Sequence, residues 1–173
     1  MKSILFGVWL FLSNSYCLSA QVNNMANNLK QQAGKMGQAL VSGDYGTFIH
    51  YIYPKIVELQ GGSSKIKTIM QQTVQQMTTQ GVTFQKVSLD EPSPVVKGGG
   101  LLQSTINQHT EFKMPQGRTV ATSTLICLSA DNGLNWTFVD THNKNLGQIR
   151  QLIPNLNSAI VIPPQQAPVH YDH

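Results

Sequence analysis

The chain has 173 residues and a formal net charge of +4, and only 12% of its residues are charged. That charged fraction is about half of the roughly 25% that is usual in soluble domains. The basic residues are scattered singly, whereas nucleic-acid binding needs clusters of them interleaved with aromatic residues. The composition therefore argues against a nucleic-acid partner, and the length predicts one domain that can bury a core.

The N-terminus is typical of a signal peptide. Lys2 gives it a positive start, Ile4–Leu12 form its apolar run, and Leu18–Ala20 provide a cleavage site. The apolar run is too short to cross a bilayer comfortably. We therefore expect residues 1–20 to be removed near Ala20 and the mature chain to be exported, to a periplasm or the medium, with no integral membrane segment left.

The chain has two cysteines, Cys17 and Cys127. Cys17 leaves lipid anchoring open, although the residues before it fit a lipoprotein signal poorly. Cleavage near Ala20 would leave Cys127 alone, so the mature chain could form no internal disulfide. Cys127 lies among apolar neighbours, which predicts a small core residue.

Apolar residues at helical spacing predict three helices in the first half of the chain. Asp44 is a natural N-cap for the second helix. Pro54 is expected to kink or restart that helix, because proline lacks a backbone N–H group. The predicted helices are 22–41, 44–60 and 63–80.

After Gly81 the apolar period changes to two residues, which is typical of strands. Three strands are predicted first, with a bulge near Gln85 and Lys86 where the alternation slips. They are Val82–Leu89, Val95–Lys97 and Leu101–Met114. A helical turn or short helix is predicted within Asn145–Ile153, and residues 163–173 are expected to form an irregular tail.

Residues 119–130 and 136–140 predict a central hairpin. Asn132 and Gly133 tolerate positive φ angles and predict a tight turn between the two strands. In the second strand, Trp136, Phe138 and Asp140 share one face. If the two aromatic residues face the interior, a carboxylate lies on the interior face too, where it would need partners or a raised pKa.

This order of elements predicts an α+β domain over residues 21–162, in which the three helices pack on a curved, mainly antiparallel sheet of four to five strands. Three stretches carry a resemblance to a known family: Gly43–Tyr45, Tyr53–Val57 with the glycines that follow, and Ser129–Thr141. Over most of residues 22–160 the chain resembles the nuclear transport factor 2-like superfamily. That superfamily has the cone-shaped fold of ketosteroid isomerase and polyketide cyclase-like enzymes, and the chain looks closest to its small exported bacterial members.

The resemblance implies a cavity enclosed by the curved sheet and the helices. According to this resemblance, the cavity would be lined by Tyr45, His50, Tyr51, Tyr53, Trp136 and Asp140. The hypothesis that we favour is a non-enzymatic domain that binds a small apolar ligand or a protein partner. The alternative is a small isomerase, dehydratase or cyclase, in which Asp140 is the base and Tyr53 or His50 donates to a developing oxyanion. Asp140 could instead cap the turn at 141–143 or pair with Arg150.

No metal or other cofactor is predicted. His109 and Glu111 share one face of a strand, but two ligands alone rarely hold a metal. A homodimer formed through the sheet is a third possibility. The polar positions that could form its surface are Gln103, Thr105, Asn107 and His109.

Overall fold

The computed structural model describes residues 14–172, with the side chains of residues 24–172. The apolar run of the predicted signal peptide lies outside these residues. The first helix, α1, spans Asn14–Ser42 and so begins before the predicted cleavage site at Ala20. Its buried side contains Leu29, Ala33 and Met36, which confirms this part of the predicted apolar stripe.

The second predicted helix is divided into two. The helix α2 spans Tyr45–His50, and the carboxylate of Asp44 accepts a hydrogen bond from its first turn. The helix α3 spans Pro54–Leu59. Pro54 disfavours a helical residue before it, so the intervening segment is extended. The free backbone groups of this segment pair with Phe138, whose carbonyl oxygen accepts a hydrogen bond from Tyr53 N at 3.0 Å. The helix α4 spans Ser63–Thr79.

Within residues 14–172, six strands form one curved antiparallel sheet, where four to five were expected. They are β1 Thr83–Leu89, β2 Val96–Gly98, β3 Leu101–Met114, β4 Gly117–Ser129, β5 Thr137–Asp140 and β6 Val169–Asp172. The sheet order is β1-β3-β4-β5, with β2 paired to β3 and β6 paired to β4. The predicted bulge in β1 is confirmed by a register shift between Phe84 and Lys86. The α+β prediction, with helices packed on a mainly antiparallel sheet, is confirmed.

The connection between β4 and β5 is longer than the tight turn that was predicted, since pairing resumes only at Leu128 and Thr137. Asn132 and Gly133 do have positive φ angles of 58° and 85°. The loop is held by α1, where the amide oxygen of Gln32 accepts a hydrogen bond from Trp136 N at 3.0 Å. The conformation of this loop therefore depends on a hydrogen bond between residues far apart in the sequence, and not only on the local geometry of a tight turn.

The sheet has two covered faces, which we call inner and outer. The inner face carries Ile106, Leu125 and Phe138 and packs against α1. The outer face carries Ile126, Leu128 and Val139 and packs against Ile149 and Ile153 at the C-terminal end of the domain. Ile149 belongs to α5, Leu146–Leu152, the short helix that was predicted there.

The end of the chain differs from the irregular tail that was expected over 163–173. Residues 169–172 form β6, which extends the edge of β4 from Val120 to Gly117. The reason is that β4 is much longer than β5, so its first residues leave an unpaired edge that a further strand can complete. The guanidinium of Arg118 also lies 4.1 Å from the ring centre of Tyr171.

The polar positions proposed for a dimer surface lie on the outer face, but part of that surface is covered. Gln103 is fully buried beneath the C-terminal segment. Its amide donates to Asn155 O at 3.0 Å and accepts from Asn157 N at 2.8 Å. Thr105 is buried as well, whereas Asn107 and His109 are half-buried. The homodimer remains a prediction. The surface available for it on the sheet is smaller than the strand pattern indicates, because two of the four positions are buried.

Candidate functional site

A cavity of about 200 Å³ lies between the helices and the inner face of the sheet. The helices contribute Met36 from α1, Phe48 from α2 and Ile56 from α3. The sheet contributes Leu125 and Phe138. Two further apolar lining residues are Leu40 and Ile52. The wall is thus built of aliphatic and aromatic carbon from every layer of the domain.

The break between α2 and α3 positions part of this wall. Ile52 lies in the extended segment before Pro54 and forms an isolated parallel bridge with Phe138. The two residues therefore lie side by side, one from the helical layer and one from the sheet. An uninterrupted helix could not make this backbone pairing, because its own N–H and C=O groups would already be used.

The polar residues that line the cavity lie either at its mouth or deeper inside it. Gln60, Asp140 and Lys144 line it and are exposed, so they mark the end that opens to solvent. Gln108 also lines it but is only 6% exposed. An apolar concavity with a few placed polar groups is the usual form of a small-molecule site.

Gln108 is the unusual residue of the inner face. Its side-chain oxygen is buried and has no hydrogen-bond partner among residues 14–172. Its amide nitrogen donates to the hydroxyl of Thr110 over a long 3.3 Å. Leaving a buried acceptor unpaired costs about 1–3 kcal/mol, so this position carries a free-energy cost that a leucine would avoid.

Asp140 follows Phe138 on the inner side, but the expectation of a buried carboxylate is wrong. The strand ends at Asp140, and its side chain is exposed at the mouth of the cavity. One carboxylate oxygen accepts from His142 N at 2.8 Å, which is the turn-capping role that the sequence left open. No ion pair joins Asp140 to Arg150 within the described part of the chain.

The two suggested partners of Asp140 lie elsewhere. His50 is exposed and lines a shallow depression with Gly46 and Lys67. Tyr53 is half-buried against the outer-face cluster that contains Val139. Neither side chain lines the inner cavity. The geometry needed for a carboxylate base opposite a hydrogen-bond donor is therefore not assembled by these three residues.

The other aromatic residues that the resemblance implied as lining the cavity pack in or against the hydrophobic core instead. Trp136 is 1% exposed, and its indole N–H donates to Gly133 O at 3.1 Å. Tyr45 is buried in a cluster with Ile49 from α2 and Ile66 from α4. Tyr51 packs against the inner core, with its ring 6.2 Å from that of Phe138. None of these aromatic residues lines the cavity.

A chain of polar side chains lies on the uncovered part of the outer face. His109 contacts Asp90 through Nε2 and Thr122 through Nδ1, both at 2.9 Å. Because an ionised Asp90 only accepts, Nε2 of His109 is the donor in this pair. Hydrogen bonds from His109 and Asn107 lower the pKa of Asp90 below its usual value. This network ties β1 to β3 and β4.

His109 and Glu111 are both engaged in such pairs, since Glu111 accepts from Arg118 at 3.0 Å. Among the residues with described side chains, no group of three or more His, Cys, Asp and Glu is placed to hold a metal ion.

Cys127 is a free, fully buried thiol. Burial raises its pKa well above the usual value, because a thiolate would lose its hydration in the apolar core. The residue therefore lacks the thiolate character that a nucleophile or redox centre needs, in agreement with the predicted core role.

Of the residues predicted to line the cavity, Asp140 alone does so, and sequence reasoning missed the apolar wall together with Gln60, Gln108 and Lys144. One signal for Gln108 was present. It continues the alternation that runs through Leu102, Ile106 and Phe112, and it is an amide in a stripe otherwise predicted to face the core. Lys144 lies four residues after the end of β5. No local pattern predicts that it would line the mouth of the cavity.

No helix in the described part of the chain combines the length and the apolar character needed to span a membrane. Comparisons with protein-family models, curated proteins and solved structures find no match for this chain.

Proposed function

We propose that this chain is an exported binding domain that holds a small apolar molecule in the inner cavity, as a member of the nuclear transport factor 2-like superfamily. The observation that carries the proposal is the cavity of about 200 Å³ itself, which is apolar in its depth and polar at its mouth. A chain with no use for this space would gain stability by filling it.

The expected affinity follows from the area that a ligand removes from water. A single-ring compound buries roughly 200 Å², which at about 25 cal/mol per Å² is worth about 5 kcal/mol. With no other cost this would give a dissociation constant of about 0.2 mM, which is a limit because association also costs translational and rotational freedom. The natural ligand would bind more tightly if it also used Gln108 inside the cavity or the charges at its mouth.

Binding is a better proposal than catalysis because of where the candidate acid–base groups lie. An isomerase, dehydratase or cyclase would need Asp140 and either Tyr53 or His50 around one substrate. Asp140 is the one residue of these three that lines the cavity, and it is at the mouth, where water can reach it.

Thermal unfolding of the full chain with toluene tests the proposal. At ten times its dissociation constant toluene should stabilise the folded state by about 1.4 kcal/mol, which raises Tm by about 3–6 °C for a domain of this size. Leu125→Phe would place extra carbon in the cavity and should abolish the shift.

The matched control is Leu134→Phe, the same change at an exposed loop residue, which should keep the full shift. Toluene that leaves the Tm of the unmodified chain unchanged, or that stabilises Leu125→Phe equally, would refute binding in this cavity.

A further inference from the structure

Gln108 lines the cavity, and its side-chain amide includes an unpaired oxygen that is itself shielded from solvent. The residue is 6% exposed, and its oxygen has no hydrogen-bond partner among the described residues. Of the four polar lining residues, the other three are exposed at the mouth. Gln108 is thus the polar group that a molecule deep in the cavity would meet.

The surroundings of this amide limit the charge of its partner. Deep in the cavity the neighbouring lining residues on the sheet are Leu125 and Phe138, which offer no counter-charge. A carboxylate or ammonium group placed there would lose its hydration without compensation. An uncharged polar group is therefore favoured at this depth, whereas charge could be accommodated only near Asp140 and Lys144.

The chemistry of the amide limits the partner further. Its terminal torsion is soft, and the nitrogen is held only by the long bond to Thr110, so either the oxygen or the nitrogen can turn towards a ligand. A hydroxyl group both donates and accepts and therefore pairs with the amide in either orientation.

The size of the cavity limits the skeleton. An engineered apolar cavity of about 150 Å³ binds benzene, and this cavity has about 200 Å³. A single ring with a short alkyl substituent and a hydroxyl group fits that space.

We propose, on the basis of the binding function above, that Gln108 selects the ligand and that the ligand is an uncharged single-ring alcohol or phenol whose hydroxyl group bonds to the Gln108 amide.

The test compares 4-ethylphenol with 4-ethyltoluene, in which a methyl group replaces the hydroxyl group. Binding of both probes to the full chain is measured by calorimetry. The Gln108→Met variant keeps the length of the side chain and loses the amide. In this variant the affinity for 4-ethylphenol, relative to that for 4-ethyltoluene, should fall at least about tenfold. The reason is that the hydroxyl group would then be buried without a partner.

Gln72→Met at an exposed position of α4, away from the cavity, is the matched control, and it should leave the ratio unchanged. Equal ratios in the unmodified chain and in Gln108→Met would overturn this inference while leaving the cavity a binding site. Failure of both probes to bind the unmodified chain would instead remove the proposed function.

A second readout needs no variant. In the unmodified chain, both probes should shift the side-chain N–H resonances of Gln108 through the ring current of their aromatic ring, and 4-ethylphenol should add the further shift of a hydrogen bond. Identical responses to both probes, or no response to either while they bind, would contradict the role of the amide.

Discussion

The inner and outer faces of the sheet are built from the same strands but are packed differently. On the outer face, Ile126, Leu128 and Val139 are covered by Ile149 and Ile153, and all five residues are at most 2% exposed. On the inner face, tight packing extends from Leu29 and Trp136 as far as Phe138 and then gives way to a cavity of about 200 Å³.

The difference distinguishes a closely packed face from one that leaves space, which is the face where we propose binding. Protein interiors are close-packed, and a void costs dispersion contacts along its lining. The apolar part of the outer face avoids this cost because a short helix and the segment after it cover it. The inner face accepts the cost, and it also accepts an unpaired side-chain oxygen at Gln108. Local departures of this kind from good packing are expected at functional sites.

The largest predicted effect distinguishes two leucines of β4. Leu128→Ala on the outer face should reduce the free energy of unfolding by about 4 kcal/mol, because it opens a closed void. Leu125→Ala should cost about 2 kcal/mol, since the deleted carbon borders space that is already open. Urea denaturation measures both, and an equal or larger loss at Leu125 would contradict the contrast between the faces.

The next effect concerns how closely α1 covers the inner face. A Cβ atom on Gly37 would lie 2.5 Å from Val87 Cγ1, whereas one on Gly34 would lie 4.0 Å from Leu89 Cδ1. Gly37→Ala should therefore destabilise the domain by about 1–3 kcal/mol through overpacking.

Gly34→Ala in the same helix serves as the control. It should stabilise the domain by about 0.5–1 kcal/mol, because alanine loses less backbone entropy in a helix. Unfolding curves in urea that show stabilisation by both changes would mean that α1 lies further from β1 than described.

The smallest effect lies on the uncovered part of the outer face. The pKa of Asp90 is lowered from its usual 3.8 by hydrogen bonds from His109 and Asn107. A depressed folded-state pKa stabilises the fold above pH 3.8, and that stability is lost as the pH falls through the folded value. The side chain is 49% exposed, so solvent screening limits the effect to about 0.5 kcal/mol.

Asp90→Asn should therefore cost about 0.5 kcal/mol at pH 6, and this difference should vanish as the pH is lowered below 3.8. Chemical denaturation across pH measures the change, with the exposed Glu58→Gln as a control of equal charge. A difference that does not decrease at all as the pH falls below 3.8 would exclude the ionised carboxylate as its cause.

Much of the fold could be predicted because its signals are local. The alternation of residues 101–114 predicts β3 with the bounds that it has, and the slip near Gln85 predicts the bulge in β1. Pro54 predicts the interruption between α2 and α3. Each of these signals lies within a few residues of the feature that it predicts.

The cavity could not be predicted in the same way, because it depends on distances between elements that are far apart in the sequence. Trp136 lies in the core because Gln32 of α1 anchors its loop, and Asp140 is exposed because β5 ends there without cover. Alternation places Gln108 on the inner face but cannot reveal that its side-chain oxygen lacks a hydrogen-bond partner.

Methyl NMR during a toluene titration of the full chain tests the central claim most directly, because it reports on both faces at once. We expect the methyl resonances of Met36, Ile52 and Leu125 to shift in a saturable way, while those of Leu128 and Ile149 stay in place. Shifts centred on the outer-face methyl groups, or no saturable shift at all, would contradict a binding cavity on the inner face.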